Sequence, residues 1–340
     1  METVQSRDSQ GRVSDAPSGH WVYRVLPRSV WPYAQLARWD RPIGWWLLLW
    51  PCWWSAAMAA SAGAKSMALP SGITDAAPVL SLLGDVMPSP LVLLLFLVGA
   101  VAMRGAGCTY NDIVDQRIDE QVARTRSRPL PSGQVSRRQA WAFLAAQALI
   151  GLVVLLQFNG FAILLGVASL AVVAVYPFAK RFTNWPQLFL GLAFSWGALM
   201  GWAAEFGALA LPPLLLYCGA ILWTIGYDTI YAHQDKEDDA LVGVKSTARL
   251  FGDRTKPALT ALYSGALIFF AMAFMQADVP FPALAGLVAA AFHMVRQIRV
   301  LDIDDPDQCL KLFKSNSHLG WLVFLGLIGG SVWAALSPLF

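Results

Sequence analysis

Residues 90–110 read PLVLLLFLVGAVAMRGAGCTY, and the chain continues NDIVDQRIDEQVARTRSRPLPSG to residue 133. The first part is an apolar run of about 20 residues, the length a helix needs to cross the hydrocarbon core of a bilayer. The second part mixes acids and bases. Their junction decides how the chain is read: a membrane helix that delivers carboxylates to one membrane surface. Composition agrees. Of 340 residues, 56% are hydrophobic and 14% charged, against about 45–50% and about 25% in soluble domains. Disorder is excluded, because it requires low hydrophobicity and high charge. Cys52, Cys108, Cys218 and Cys309 lie too far apart in sequence for a disulfide framework or a zinc motif. A formal charge of +3 is too small to argue for nucleic acid.

Windows of the same kind recur, giving nine expected spans over 43–62, 90–110, 138–156, 160–176, 187–204, 211–230, 257–276, 281–297 and 319–337. The expected fold class is all-α: a polytopic membrane protein with a bundle of about nine transmembrane helices. The windows at 160–176 and 281–297 are short, and the second includes His293 and Arg296. No apolar run of signal-peptide length precedes residue 43, so no cleaved signal is expected. Residues 20–42 are basic and Trp-rich, a composition that suits a helix lying in the membrane interface. The organisation expected is a polar tail over 1–32 and a membrane domain over 33–340. When the loops alternate, 24 of the 25 Lys and Arg residues fall on one side and only Lys65 on the other. The positive-inside rule assigns the rich side to the cytoplasm, and most of the 15 tryptophans to interfacial anchoring.

Acids on that side fall into two clusters, each just after a span: residues 107–133, and YDTIYAHQDKEDD over 227–239. At 100° per residue, Asn111, Asp112, Asp115 and Asp119 point within about 100° of one another. Asp228, Asp235 and Asp239 fall within about 40° if their segment stays helical. Like charges stacked this closely repel, so a cation should compensate them. Mg²⁺ fits, since it takes carboxylate and water oxygens and binds together with substrate phosphates. The interleaved Arg117, Arg124, Arg126, Arg128, Lys180, Arg181, Lys236 and Lys245 supply donors for an anion. Acids and bases together describe a diphosphate held by metals, on a molecule with a greasy tail. A third acidic run, LDIDDPD over 301–307, contains Pro306 and reads as a surface turn.

These residues resemble the UbiA superfamily of membrane prenyltransferases, and within it the subgroup that prenylates 4-hydroxybenzoate in ubiquinone synthesis. Asn111, Asp112, Asp115 and Asp119 match its NDxxDxxxD signature, followed by RPLPSG from Arg128 to Gly133. Tyr227, Asp228, Thr229, Tyr231, Ala232, Asp235, Asp238 and Asp239 match YDTxYAxxDxxDD. The blocks DRPIGWWLLLWP (Asp40–Pro51), YPFAKRFTNWPQ (Tyr176–Gln187) and GVKSTARLFG (Gly243–Gly252) agree as well, and the similarity runs from about residue 33 to the C-terminus. The residue before RPLPSG is Ser127 where the family usually has Asn.

The resemblance implies a helical bundle around a central cavity, Mg²⁺ as cofactor, and polyprenyl diphosphate and 4-hydroxybenzoate as substrates in an inner membrane, bacterial or mitochondrial. It implies that Asp112, Asp115, Asp119, Asp228, Asp235 and Asp239 hold the metal and drive catalysis. Asn111, Arg128, Lys180, Arg181, Tyr231, Lys236 and Arg41 are expected at the substrates. Arg181, with Lys180, is the first choice for the acceptor's carboxylate, and Arg41 the second. His233 and Cys108 are expected to be structural. Competing readings are another aromatic acceptor (homogentisate, dihydroxynaphthoate, haem or chlorophyllide) and a cation transporter. The clustering of acids at one membrane face, rather than at its midplane, disfavours the transporter.

Overall fold

The computed structural model describes residues 20–66, 84, 86–121, 125–236 and 243–337, and all regular structure among them is helical. Among the described residues, eight stretches are long and apolar enough to cross a membrane: 90–119, 137–155, 160–182, 186–206, 211–232, 247–276, 281–300 and 306–336. The expected span at 43–62 is a 24-residue helix with Pro51 inside it. It carries five tryptophans, Trp45, Trp46, Trp50, Trp53 and Trp54. The chain divides into two compact units, residues 1–46 with 98–155 and residues 47–97 with 156–340.

The first unit begins with two short helices, α1 (Trp21–Val25) and α2 (Trp31–Leu36), and reaches the start of α3 (Ile43–Ser66). It continues through the latter part of α4 (Pro90–Asp119) to α5 (Arg137–Leu155). The segment expected in the membrane interface is folded inward at several points: Val22, Tyr23, Trp31 and Ala34 form one buried cluster. Leu36 joins Ile113, Leu130, Val135 and Ala140 in another. Helix α2 ends in a Schellman motif, with Arg38 N–H donating to Gln35 O and Trp39 N–H to Ala34 O. Its left-handed position, usually glycine, is held by Arg38 at φ 57°. Between α4 and α5, Gln147 donates to Thr109 at 3.3 Å and lies against Gly105, where no Cβ would fit.

The second unit carries most of α3, then α6 (Gly160–Phe182), α7 (Pro186–Phe194), α8 (Gly197–Phe206), α9 (Leu211–Ala232), α10 (Thr247–Phe251), α11 (Thr255–Gln276), α12 (Leu284–Val300) and α13 (Pro306–Leu336). With water absent, small residues let membrane helices approach closely. A Cβ at Gly286 of α12 would meet Leu322 O at 2.5 Å and Gly326 Cα at 2.8 Å. Two of the buried indoles find acceptors: Trp54 donates to Gly320 O at 2.9 Å and Trp223 to Asn316 Oδ1 at 2.9 Å.

Three details differ from the sequence reading. The span expected at 187–204 is broken at Ser195–Trp196 into α7 and α8, where Ser195 lies 3.4 Å from Thr224. The span at 160–176 runs on to Phe182. The last helix starts at Pro306, thirteen residues before the window at 319, because Asp305 caps it by accepting from Gln308 N–H at 3.0 Å. The acidic stretch before it is a turn, as expected.

Candidate active site

The first motif occupies the last turns of α4. Asp112, Asp115 and Asp119 are all buried there, while Asn111 is partly exposed. Asp112 Oδ1 accepts from Arg38 Nη2 at 2.8 Å and lies 3.5 Å from Arg128 Nη1. The same Arg128 nitrogen donates to Asp119 Oδ2 at 2.9 Å. Two guanidiniums therefore stand against Asp112 and Asp119. Burial by itself would lower the Arg38 pKa, but the neighbouring Asp112 carboxylate, with Cys108 and Asp40 adding to it, turns the net direction upward. Asp112 Oδ2 is buried and has no hydrogen-bond partner among the described residues.

Local structure explains how Arg128 arrives. The RPLPSG element is a compact turn: Ser132 N–H and Oγ donate to Arg128 O at 3.0 and 2.7 Å, and Gly133 adopts φ 75°. The turn drops Leu130 into the core. Thr125 Oγ1 donates to Asp119 O at 2.9 Å, tying the loop to the helix end.

Nearby in the same unit, Asp40 is fully buried and accepts from the Tyr23 hydroxyl at 3.0 Å. Arg41 Nε lies 3.8 Å from the same carboxylate oxygen. Burial and then Asp40 push the Tyr23 hydroxyl up to about 12, so it stays a donor. Arg104 lies against Gly44, where an added Cβ would meet its Nε at 2.6 Å.

The second motif straddles the end of α9. Tyr227 is buried and packs on Trp223, and Tyr231 lies against Phe313 with ring centroids 4.4 Å apart. Thr229 bonds to Thr247 at 2.6 Å, and Thr247 N–H donates to Gln187 Oε1 at 3.0 Å, fastening the 243–248 segment. Continuous helical stacking of Asp228, Asp235 and Asp239 is not what forms: α9 stops at Ala232 and a 3-10 turn covers His233–Asp235. The stacking drawn for a continuous helix therefore does not extend past Ala232. Asp228 is partly exposed, while Asp238, Asp239 and Arg124 lie outside the described residues. His233 is buried and bonds to Thr255 at 3.0 Å, the structural role expected of it. Burial first, then Lys236, lowers its pKa to about 4.

Of the two cations expected at an acceptor carboxylate, Arg181 is exposed and lies over Phe178 of its own helix. Lys180 accepts at its carbonyl from Lys245 N–H at 3.2 Å, and both Lys180 and Lys236 are partly exposed. Arg41, by contrast, is anchored beside a buried carboxylate. Two residues that the motifs do not single out, Arg38 and Arg104, are placed at the first motif and at the start of α3. The one signal that could have drawn attention to Arg38 is its position two residues before the DRPIG block.

Among the described residues no three His, Cys, Asp or Glu side chains converge tightly enough to hold a metal ion unaided. The first motif nonetheless fits a hard cation in its donor chemistry. It is all carboxylate, and it keeps one buried oxygen, Asp112 Oδ2, without a partner.

The UbiA prenyltransferase family model matches residues 73–334. The mitochondrial 4-hydroxybenzoate polyprenyltransferase of Drosophila pseudoobscura pseudoobscura is 48% identical over 302 residues, 88% of this chain and 70% of that protein. Its Homo sapiens counterpart is 43% identical over 316 residues, 92% of this chain and 78% of that one. The apo structure of a UbiA homolog from Aeropyrum pernix K1 matches with a TM-score of 0.63 at 25% identity, covering 84% of this chain and 97% of that one. A UbiA homolog from Archaeoglobus fulgidus bound to GPP and Mg²⁺ matches with a TM-score of 0.56 at 21% identity, covering 88% and 99%.

Proposed function

This chain belongs to the UbiA prenyltransferase family, and we propose that it transfers a polyprenyl group from polyprenyl diphosphate to the ring carbon of 4-hydroxybenzoate ortho to the hydroxyl. The products are 3-polyprenyl-4-hydroxybenzoate and diphosphate, a step of ubiquinone biosynthesis. The relatives named for this activity, at 42–49% identity, support the reading. The observation that carries it is the buried cluster of Asp112, Asp115 and Asp119 with Arg38 and Arg128 at the end of a membrane helix. Nothing in a merely structural helix end calls for three buried carboxylates with two partly buried guanidiniums against them, because such groups are costly to desolvate.

We propose that Mg²⁺ would be held by Asp112, Asp115 and Asp119 from the first motif and by Asp228, Asp235 and Asp239 from the second. When bound, it would neutralise charge on the leaving diphosphate. Arg38 and Arg128 can exchange a carboxylate for a phosphate oxygen, since a guanidinium fork matches either. With Asn111 and Lys236 they hold the leaving group, which favours ionisation of the allylic C–O bond. Tyr231 offers an aromatic face to the resulting allylic cation. The phenol ring then attacks that cation, and its ring proton passes to an aspartate or to the departing diphosphate. For the acceptor carboxylate, the Asp40–Arg41 pair favours Arg41 over Arg181 and Lys180. In this reading the Lys- and Arg-rich side, with the site, faces the cytoplasm of a bacterial inner membrane or the matrix of a mitochondrial one.

The test is direct. Membranes carrying the full chain, given labelled 4-hydroxybenzoate and a panel of prenyl diphosphates, should form prenylated product only when Mg²⁺ is present. Product from homogentisate or dihydroxynaphthoate but not from 4-hydroxybenzoate would reassign the acceptor. No product from any acceptor, with cation flux in proteoliposomes instead, would overturn the reading.

A further inference from the structure

Away from the aspartate motifs, α12 and α13 carry polar groups where lipid-facing helices should carry none. His293 of α12 and His318 of α13 face each other, with ring centroids 6.4 Å apart. His318 is exposed, and so are apolar side chains on either helix beside the pair: Phe292 on α12, Trp321 and Leu325 on α13. His293 is fixed from behind. Its Nε2 lies 3.1 Å from Ser315 Oγ and 3.3 Å from the amide of Gln297, which is itself buried and accepts from the Tyr263 hydroxyl at 3.0 Å. The pair is thus braced on its inner side and exposed on its outer one.

Its depth follows from helix length. Helix α13 has 31 residues, about 46 Å at 1.5 Å per residue, against a hydrocarbon core of about 30 Å. Residues 319–336 carry no charge, so the excess of about 16 Å belongs at the Pro306 end. That puts His318 at the hydrocarbon boundary and Lys314, one turn nearer that end, at headgroup level. Arg296 stands one turn from His293 toward the same surface, because α12 and α13 are joined there by the 301–305 turn. None of Arg296, Lys311 and Lys314 makes an ion pair among the described residues. The aspartates of the turn do not answer them. Asp305 caps α13, and Asp302 Oδ1 accepts from Asp304 N–H at 3.1 Å.

We propose that the groove between α12 and α13 binds the headgroup phosphate of an anionic phospholipid. His293 and His318 donate to the phosphate from below, and Arg296 and Lys314 supply charge from above. Histidine suits the deeper level because, when neutral, it remains a donor without the cost of burying a charge. Basic side chains suit the outer level, where anionic lipid attracts them. The acyl chains then lie along Phe292, Trp321 and Leu325. Nothing in this depends on the prenyl-transfer chemistry.

The experiment uses the full-length chain in detergent, with phosphatidylglycerol and phosphatidylcholine as probes and native mass spectrometry as the readout. The expected result is one retained phosphatidylglycerol and no retained phosphatidylcholine. Each cation removed should weaken retention about fivefold, so Arg296→Gln with Lys314→Gln weakens it about 25-fold. His318→Gln should weaken it further, the charge-preserving Arg296→Lys with Lys314→Arg should keep it, and Arg137→Gln with Arg138→Gln at the start of α5 should leave it unchanged. Equal retention of the two lipids overturns the proposal. So does wild-type retention in the Gln pair, or loss in the charge-preserving pair. Displacement of the retained lipid by micromolar geranyl diphosphate would also overturn it, by assigning the groove to the prenyl donor.

Discussion

Arg38→Ala tests whether the first motif is built as an arginine-neutralised carboxylate cluster. In the wild type the Arg38 and Asp112 side chains retain 14% and 1% of their exposure and meet at 2.8 Å. Removing one partner of a buried pair costs about 3–5 kcal/mol when nothing replaces it. Here Arg128 stays 3.5 Å from the same oxygen, so about half of that, roughly 2 kcal/mol, is expected from the ion pair. Loss of the bond from Arg38 Nη1 to Gln35 O, 2.6 Å in the wild type, adds about 1 kcal/mol. Backbone strain enters separately. Arg38 sits at φ 57°, a conformation costing a non-glycine residue about 1–2 kcal/mol. Alanine keeps that cost and glycine removes it, less about 0.5–1 kcal/mol for glycine's greater freedom when unfolded. Arg38→Gly should therefore be the milder variant, by up to about 1 kcal/mol. The assay is reversible unfolding in mixed micelles followed by tryptophan fluorescence, run as a double-mutant cycle of Arg38→Ala with Asp112→Asn. A coupling of about 2 kcal/mol is expected. A coupling under about 0.5 kcal/mol, or a glycine variant clearly less stable than the alanine one, would refute the reasoning.

Three further predictions concern activity and packing. Asp115→Ala and Asp228→Ala should each abolish Mg²⁺-dependent prenyl transfer while the protein still inserts into membranes, which turnover and membrane extraction assays check; normal turnover in either places the site elsewhere. Arg41→Ala should raise KM for 4-hydroxybenzoate at least about tenfold, the loss of one charge-assisted bond, with little change for the prenyl donor. Arg181→Ala should leave both nearly unchanged, and the reverse pattern would return the acceptor carboxylate to Arg181. Gly286→Val should lower thermal stability sharply, because its Cβ would press into the carbonyl and Cα of α13 at 2.5 and 2.8 Å, whereas Gly329→Ala, where nothing lies within 4 Å, should change it little.

What could be read from the sequence depended on whether a feature was local. Spans were legible because about 20 apolar residues announce themselves without a partner. The stacking of Asp112, Asp115 and Asp119 was legible because it follows from the period of their own helix. The break at Ser195 was not, since an apolar run hides a turn whose polar groups are satisfied inside the bundle. The end of α9 at Ala232 escaped for a similar reason. Nothing in YDTIYAHQDKEDD is a strong helix breaker, and the 3-10 turn at His233–Asp235 accompanies the His233–Thr255 bond, made 22 residues away in sequence.

Arg38 is the instructive case. It stands 74 residues from Asp112, in a left-handed position where pattern leads one to expect glycine. Spacing alone correctly required a cation opposite the stacked carboxylates, but it could not say which one. The structure meets much of that requirement with protein charge: Arg38 and Arg128 stand against Asp112 and Asp119. This changes what an incoming metal and diphosphate must do. A site whose carboxylates already pair with guanidiniums need not stay open and strongly anionic while waiting for metal. Under the proposed function, binding would be an exchange, with the carboxylates available to the cation and Arg38 and Arg128 to the phosphate oxygens. Each group trades one charged partner for another, so the buried charges are never left unpaired. That is the condition under which a low-dielectric site can hold them at all.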